Sequence, residues 1–163
     1  MYLAVDHVGI AVAELEPAVT FYRDVFGFTV QHEEANAEQG VREAMLGVGS
    51  CQTQLQLLAP LNADSPIARF LDRSGPGVQH IAYAVDDVVL EAERLRARGL
   101  TVLWNEPRRG TRNSLVNFVH PRDAGGVLVE LVQRVADPPL DGRAAGPFAS
   151  ITDTASERGR IDP

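Results

Sequence analysis

The chain has 163 residues, 45% of them apolar, and a single domain of that length buries roughly 70% of its unfolded surface on folding. A formal net charge of −7 excludes the broad basic face that nucleic-acid binding needs, and no apolar run approaches the ~20 residues of a membrane span. One cysteine, Cys51, excludes an internal disulfide; with no secretory pattern at the N-terminus, the expected location is a reducing cytoplasm.

The first predicted element is a strand from Ala4 to Val12, apolar and β-branched. A helix follows, with Pro17 in its first turn, Ala18, Tyr22, Val25 and Phe26 recurring at i, i+4, i+7 and i+8, and Gly27 as its left-handed stop. Three strands are expected next, around Phe28 to Glu34, Gly40 to Gly47 and Gln52 to Ala59, separated by turn-prone Asn36 to Gln39 and Val48 to Ser50. Cys51 reads as a small strand residue. Ser65 then caps a short bridge helix over 65–74, with Pro66 at its first position, apolar Ile67, Phe70 and Leu71, and a stop at Gly75-Pro76-Gly77.

The order then repeats. A strand runs from Val78 to Val85, Asp86 is placed as a cap, and a helix from Val88 to Arg98 turns Val88, Ala92 and Leu95 inward before Gly99 ends it. Strands near Thr101 to Asn105, Leu115 to His120 and Gly126 to Gln133 complete the second set. Residues 1–133 thus form one domain: a first module over about 3–61, the bridge, and a second module over about 78–133. From Arg134 the periodicity dissolves into Pro138-Pro139, glycines and scattered charge, so 134–163 is expected to be a mobile tail.

The two modules also share a motif. Asp6-His7-Val8-Gly9-Ile10-Ala11-Val12 and Gln79-His80-Ile81-Ala82-Tyr83-Ala84-Val85 are near copies; Gln56 lies 49 residues after His7, and Glu130 lies 50 after His80. Each copy offers one imidazole and one side-chain oxygen, ligand types that suit a divalent first-row metal at a shared site. Gln56 and Glu130 sit on otherwise apolar strands, where burial without partners costs several kcal/mol, so a polar centre must exist for them. His32 and His120 have no matched partner and read as structural or solvent-facing. The Glu33-Glu34 pair reads as a solvated strand end, and Phe21, Tyr22, Phe26, Phe28 and Trp104 as core. Arg108, Arg109 and Arg112 form a cluster suited to one anionic ligand.

These residues resemble the vicinal oxygen chelate superfamily and, within it, the methylmalonyl-CoA epimerase family. The resemblance covers residues 3–133. Its most specific parts are Glu38-Gln39-Gly40-Val41-Arg42-Glu43, the run from Thr53 to Leu61, the bridge Asp64-Ser65-Pro66-Ile67-Ala68, and Gly126-Val127-Leu128-Val129-Glu130-Leu131. It implies an α+β fold in which two paired βαβββ modules form a curved, barrel-like mixed sheet around a central metal cleft. It implies one divalent ion held by His7, Gln56, His80 and Glu130, Co2+ first and Mn2+, Ni2+ or Zn2+ as alternatives. Glu43 and Glu130 are then the two acid/base groups of a C2 epimerase acting on an acyl-CoA thioester, in a homodimer. The loop Arg108 to Leu115 carries Arg112 and Asn113 where the family usually has glycine, and Arg112, Asn113 and Ser114 are its expected substrate contacts. Two rivals share the fold: a glyoxalase-type lyase, and a non-catalytic small-molecule-binding protein. A ring-cleaving dioxygenase would use a two-His-one-carboxylate iron triad, which Gln56 argues against.

Overall fold

The computed structural model describes residues 1–134. The expected tail from 135 onward lies outside the described residues. Strand β1 spans Tyr2–Ala11 and helix α1 Leu15–Phe26, with Gly27 taking the left-handed conformation (φ 71°) that closes the helix through its N–H to Arg23 O. Strands β2 (Thr29–Asn36), β3 (Val41–Gly47) and β4 (Gln54–Pro60) follow, then α2 (Pro66–Ser74), whose Ile67 N–H donates to the Ser65 hydroxyl. The second module is β5 (Gly77–Val85), α3 (Val88–Ala97), β6 (Arg108–Arg109), β7 (Leu115–Val119) and β8 (Leu128–Gln133). No helix among the described residues is long and apolar enough to cross a membrane.

All eight strands form one mixed sheet in the order β2-β3-β4-β1-β5-β8-β7-β6. Within each module the first strand pairs in parallel with the last, β1 with β4 and β5 with β8, and the modules meet where β1 runs antiparallel to β5. Strand alternation gives the sheet two chemistries. On one face Leu57, Ala59, Ala44 and Leu46 pack under Leu15 and Val19 of α1, while Leu131, Val119 and Val85 pack under Val88, Ala92 and Leu95 of α3. The other face carries His7, Glu43, Gln56, His80 and Glu130, all buried. Helices α1 and α3 cover that first face, whereas α2 packs Ile67 against Val41 and Leu58 on the face of the polar set.

Four expectations change. The N-cap of α3 is Asp87, whose carboxylate accepts from Leu90 N–H at 2.9 Å, whereas Asp86 pairs with the N-terminal ammonium. Residues 101–105 form no strand. Val102 makes a single bridge to Val119, and the Asn117 side chain takes both backbone groups of Trp104, so the ladder position beside β7 passes to Arg108–Arg109. Phe21 and Phe26 are 51% and 56% exposed and pack at the end of α1 on Tyr22 and Phe28, which are half-buried against the core as expected. Cys51 is exposed and precedes β4.

Candidate active site

Each histidine follows a β-bulge. On β1 the register steps from Val5 to His7, leaving Asp6 unpaired, and on β5 it steps from Val78 to His80, leaving Gln79 unpaired. Each extra residue brings its side-chain oxygen to the ring beside it: Asp6 Oδ1 lies 2.8 Å from His7 Nδ1, and Gln79 Oε1 lies 2.5 Å from His80 Nδ1. Nδ1–H therefore donates outward and Nε2 is left for the centre. Arg134 holds Asp6 in turn, its Nε 3.0 Å from Oδ2. His80 also needs space. It faces Gly9 across the ladder, and a Cβ on Gly9 would lie 2.1 Å from the His80 ring.

Both Nε2 atoms converge on Glu130. They are 3.0 Å apart, and Glu130 Oε2 is 3.2 Å from His7 Nε2 and 3.0 Å from His80 Nε2. Ligands that share one ion at ~2.0–2.2 Å stand about this far from each other. His7, His80 and Glu130 are the group among the described residues able to hold a metal ion, and all three are buried. Gln56, the expected fourth donor, stands at the same cleft as His80 and Glu130: its Nε2 donates to Glu43 Oε2 at 2.7 Å and to Thr111 Oγ1 at 2.9 Å, while its buried Oε1 has no partner among the described residues. An orphaned buried amide oxygen beside two imidazoles and a carboxylate fits a divalent cation.

The electrostatics follow from this crowding. Burial works against a charged His7, but bonds to Asp6 and Glu130 outweigh it and raise its pKa to about 9. Burial likewise opposes an ionised Glu130, and the two histidines overcome it, lowering the carboxyl to about 2. Glu43 goes the other way. Burial and the nearby Glu34 and Glu130 charges push it up to about 7, against the Thr111 hydroxyl that donates to its Oε1 at 2.7 Å.

These residues border a cleft of about 310 Å³, whose walls include Gln56, His80, Glu130, Thr111, Trp104 and Arg108. Glu43 sits directly behind that wall, bonded to Gln56 and Thr111. The loop expected to touch substrate reaches the cleft through Arg108 and Thr111, not through Arg112, Asn113 or Ser114. Arg108 lies 4.4 Å over the Trp104 ring, and Ser114 is buried beneath Gly110. Arg112 and Asn113 both adopt left-handed backbone (φ 54° and 58°), which glycine takes without cost. A larger concavity of about 590 Å³ lies elsewhere, lined by apolar residues such as Leu3, Val5, Leu95 and Val129; it lacks the donor set and is not the site.

The glyoxalase/bleomycin resistance protein/dioxygenase superfamily model matches residues 6–118. The chain belongs to this superfamily. Among solved structures, this superfamily member is 50% identical to methylmalonyl-CoA epimerase from Mycobacterium tuberculosis (TM-score 0.79), covering 82% of this chain and 89% of that one. It is 44% identical to a variant of the Streptomyces coelicolor methylmalonyl-CoA epimerase in complex with 2-nitronate-propionyl-CoA (TM-score 0.81; 83% and 100% covered). It is also 38% identical over 130 residues to the ethylmalonyl-CoA/methylmalonyl-CoA epimerase of Cereibacter sphaeroides, spanning 78% of this chain and 96% of the relative.

Sequence reasoning missed three residues of the site. Gly9 and Thr111 carry no pattern of their own, and their contacts arise from register and loop path. Glu34, expected to be solvated beside Glu33, turns to the polar face because it pairs with Glu43 across β2 and β3. Alternation along β2 against the Glu43 strand is the signal that would have found it.

Proposed function

We infer that the chain is a metal-dependent methylmalonyl-CoA epimerase, interconverting the (R) and (S) forms by removing the C2 proton and returning one to the opposite face. The observation that carries this reading is the pairing, at one cleft, of a carboxylate joined to two histidines with a second buried carboxyl poised near neutrality. An acid/base group works best when its pKa lies near the working pH, and Glu43 at about 7 meets that condition. Glu130 serves the other face from the cleft wall. Thr111 and Gln56 fix the Glu43 carboxyl, and Arg108, held over Trp104, is placed to bind an anionic group of the thioester.

His7, Gln56, His80 and Glu130 are the residues that would hold the ion, for which Co2+ is our assignment. When bound, it supplies positive charge where the enolate oxygen develops. The chain is proposed to work as a homodimer through exposed Met1 and, at the start of β1, Leu3 and Val5, an apolar strip.

The test is to incubate purified protein with (S)-methylmalonyl-CoA in D2O. Both deuterium entry at C2 and appearance of the (R) epimer are expected. A protein that binds the thioester without exchanging C2 would be a binding protein of the same fold, and the epimerase reading would be wrong.

A further inference from the structure

The lone tryptophan of the chain, Trp104, stands half-buried in the cleft wall within a column of flat groups. The Arg108 guanidinium carbon lies 4.4 Å from its ring centroid. On the inner side Phe118 meets the indole edge-on at 5.1 Å, and Phe118 in turn meets the His80 imidazole edge-on at 6.1 Å. All four side chains line the cleft. The column therefore runs from exposed Arg108 to an imidazole of the proposed metal centre.

Trp104 is held from behind. Its N–H donates to Asn117 Oδ1 at 3.2 Å, and its carbonyl accepts from Asn117 Nδ2 at 2.9 Å and from the Arg96 guanidinium of α3. Asn117 is fully buried on β7, where turning away would leave its amide unpaired. Since residues 101–105 form no strand, these bonds take the place of a ladder in fixing where the indole stands. Arg108 differs: among the described residues its side chain has no hydrogen bond or ion pair, and the indole face is what holds it. A long arginine loose at a surface spreads over many rotamers. Stacked on a fixed ring, it keeps its planar fork oriented and its N–H donors open to a ligand.

We propose that Trp104 is a positioning residue that presents Arg108 to the anionic part of the acyl thioester, at a place set relative to the metal centre by Phe118; the substrate class rests on the epimerase reading. The thioester carries two kinds of anion that a guanidinium can bind, the carboxylate on C2 and the phosphates of CoA. Without the indole face Arg108 keeps its charge but must be ordered at each binding event. Affinity then suffers and the chemical step does not.

Epimerisation by the metal-loaded parent is measured first; its absence would sink the epimerase reading, while thioester binding would still test the role of Trp104. Trp104→Leu is expected to raise KM for methylmalonyl-CoA, and the Kd read by calorimetry, about tenfold with kcat within about threefold of the parent. Trp104→Phe, which keeps an aromatic face, should recover most of the loss. Arg108→Ala should raise KM by a similar factor, and the double variant should be no worse than either single one, because the two side chains act as a unit. Two measurements stand even if Trp104→Leu folds poorly. Arg108→Lys keeps the charge but not the planar stack and should lose nearly as much as Arg108→Ala. The single indole should also change its emission in ligand-free Arg108→Ala, as the stacked cation is lost. Methylmalonyl-pantetheine, which lacks every phosphate, and propionyl-CoA, which lacks the carboxylate, identify the anion: whichever no longer senses Arg108→Ala lacks the group that Arg108 holds. Equal sensitivity of both, an unchanged Kd in Trp104→Leu, additive losses in the double variant, parent-like KM in Arg108→Lys or unaltered emission would each overturn the proposal.

Discussion

A carboxyl that must both take and give a proton needs its two states close in free energy, and Glu43 meets this through burial beside other acids. Glu43→Gln should therefore retain its metal, bind substrate and lose net epimerisation by a factor on the order of 10² or more. Because Glu130 survives, C2 of one epimer should still exchange in D2O without inversion, which proton NMR of the recovered thioester reads directly. The ion itself competes with a proton. His7 in the ion-free chain has its pKa raised to about 9, so below that pH an incoming metal must expel the proton. Metal uptake at neutral pH should release acid into a weakly buffered solution, and apparent affinity should fall about tenfold per pH unit below 9 and level off above it. Affinity independent of pH between 6 and 8 would show that His7 is not a ligand. At this scale the sequence was most legible where it repeats: His7, Gln56, His80 and Glu130 stand at matched offsets and meet in space. Thr111 and Glu34 were hidden because their contacts depend on which strand lies beside which.

Among the elements, the β1–β5 ladder does the most for the site. Its bulges at Asp6 and Gln79 seat an acceptor behind each imidazole, and its Gly9 leaves room for the His80 ring. Gly9→Ala places a methyl inside that ring's volume, and the clash involves the ring atoms of a side chain locked on both sides. The variant should fold, because β1 accommodates alanine at Ala11 and Ala4, yet lose metal and turnover together; metal content measured after purification decides it, and full occupancy would show that His80 can shift freely. Strand and helix positions were legible from alternation and caps, since β1, α1, α2 and α3 lie close to their expected spans. The stretch at 101–105 was not, because a single side chain, Asn117, satisfies the Trp104 backbone that a neighbouring strand would otherwise bond.

For the whole molecule, every strand and helix described and every proposed site residue falls within residues 1–134. A chain ended after Pro138 should keep its metal content and its rate to within about twofold, as steady-state assays and metal analysis of the truncated protein would establish; loss of either would assign the C-terminal residues a part in the site. The doubled architecture was visible in the two similar histidine segments, while the closing contacts between modules, such as Thr111 with Glu43 and Arg112 with Glu34, join residues 68 and 78 positions apart and left no trace in either copy.

Among the described strands the two halves meet only where β1 lies beside β5, and each half brings one imidazole and one oxygen donor to that seam. Half a chain holds half a binding site. A single βαβββ ancestor would have had to associate with its own copy to capture an ion, and the resulting two-fold pair would have presented the same four donors on its axis. Joining the halves through α2 removed the need for the two copies to stay alike. One then became free to place an amide at Gln56, with a proton-transferring acid beside it at Glu43, while the other kept a carboxylate at Glu130. The unequal faces that distinguish two mirror-related forms of a substrate carbon are, on this view, a product of the fusion.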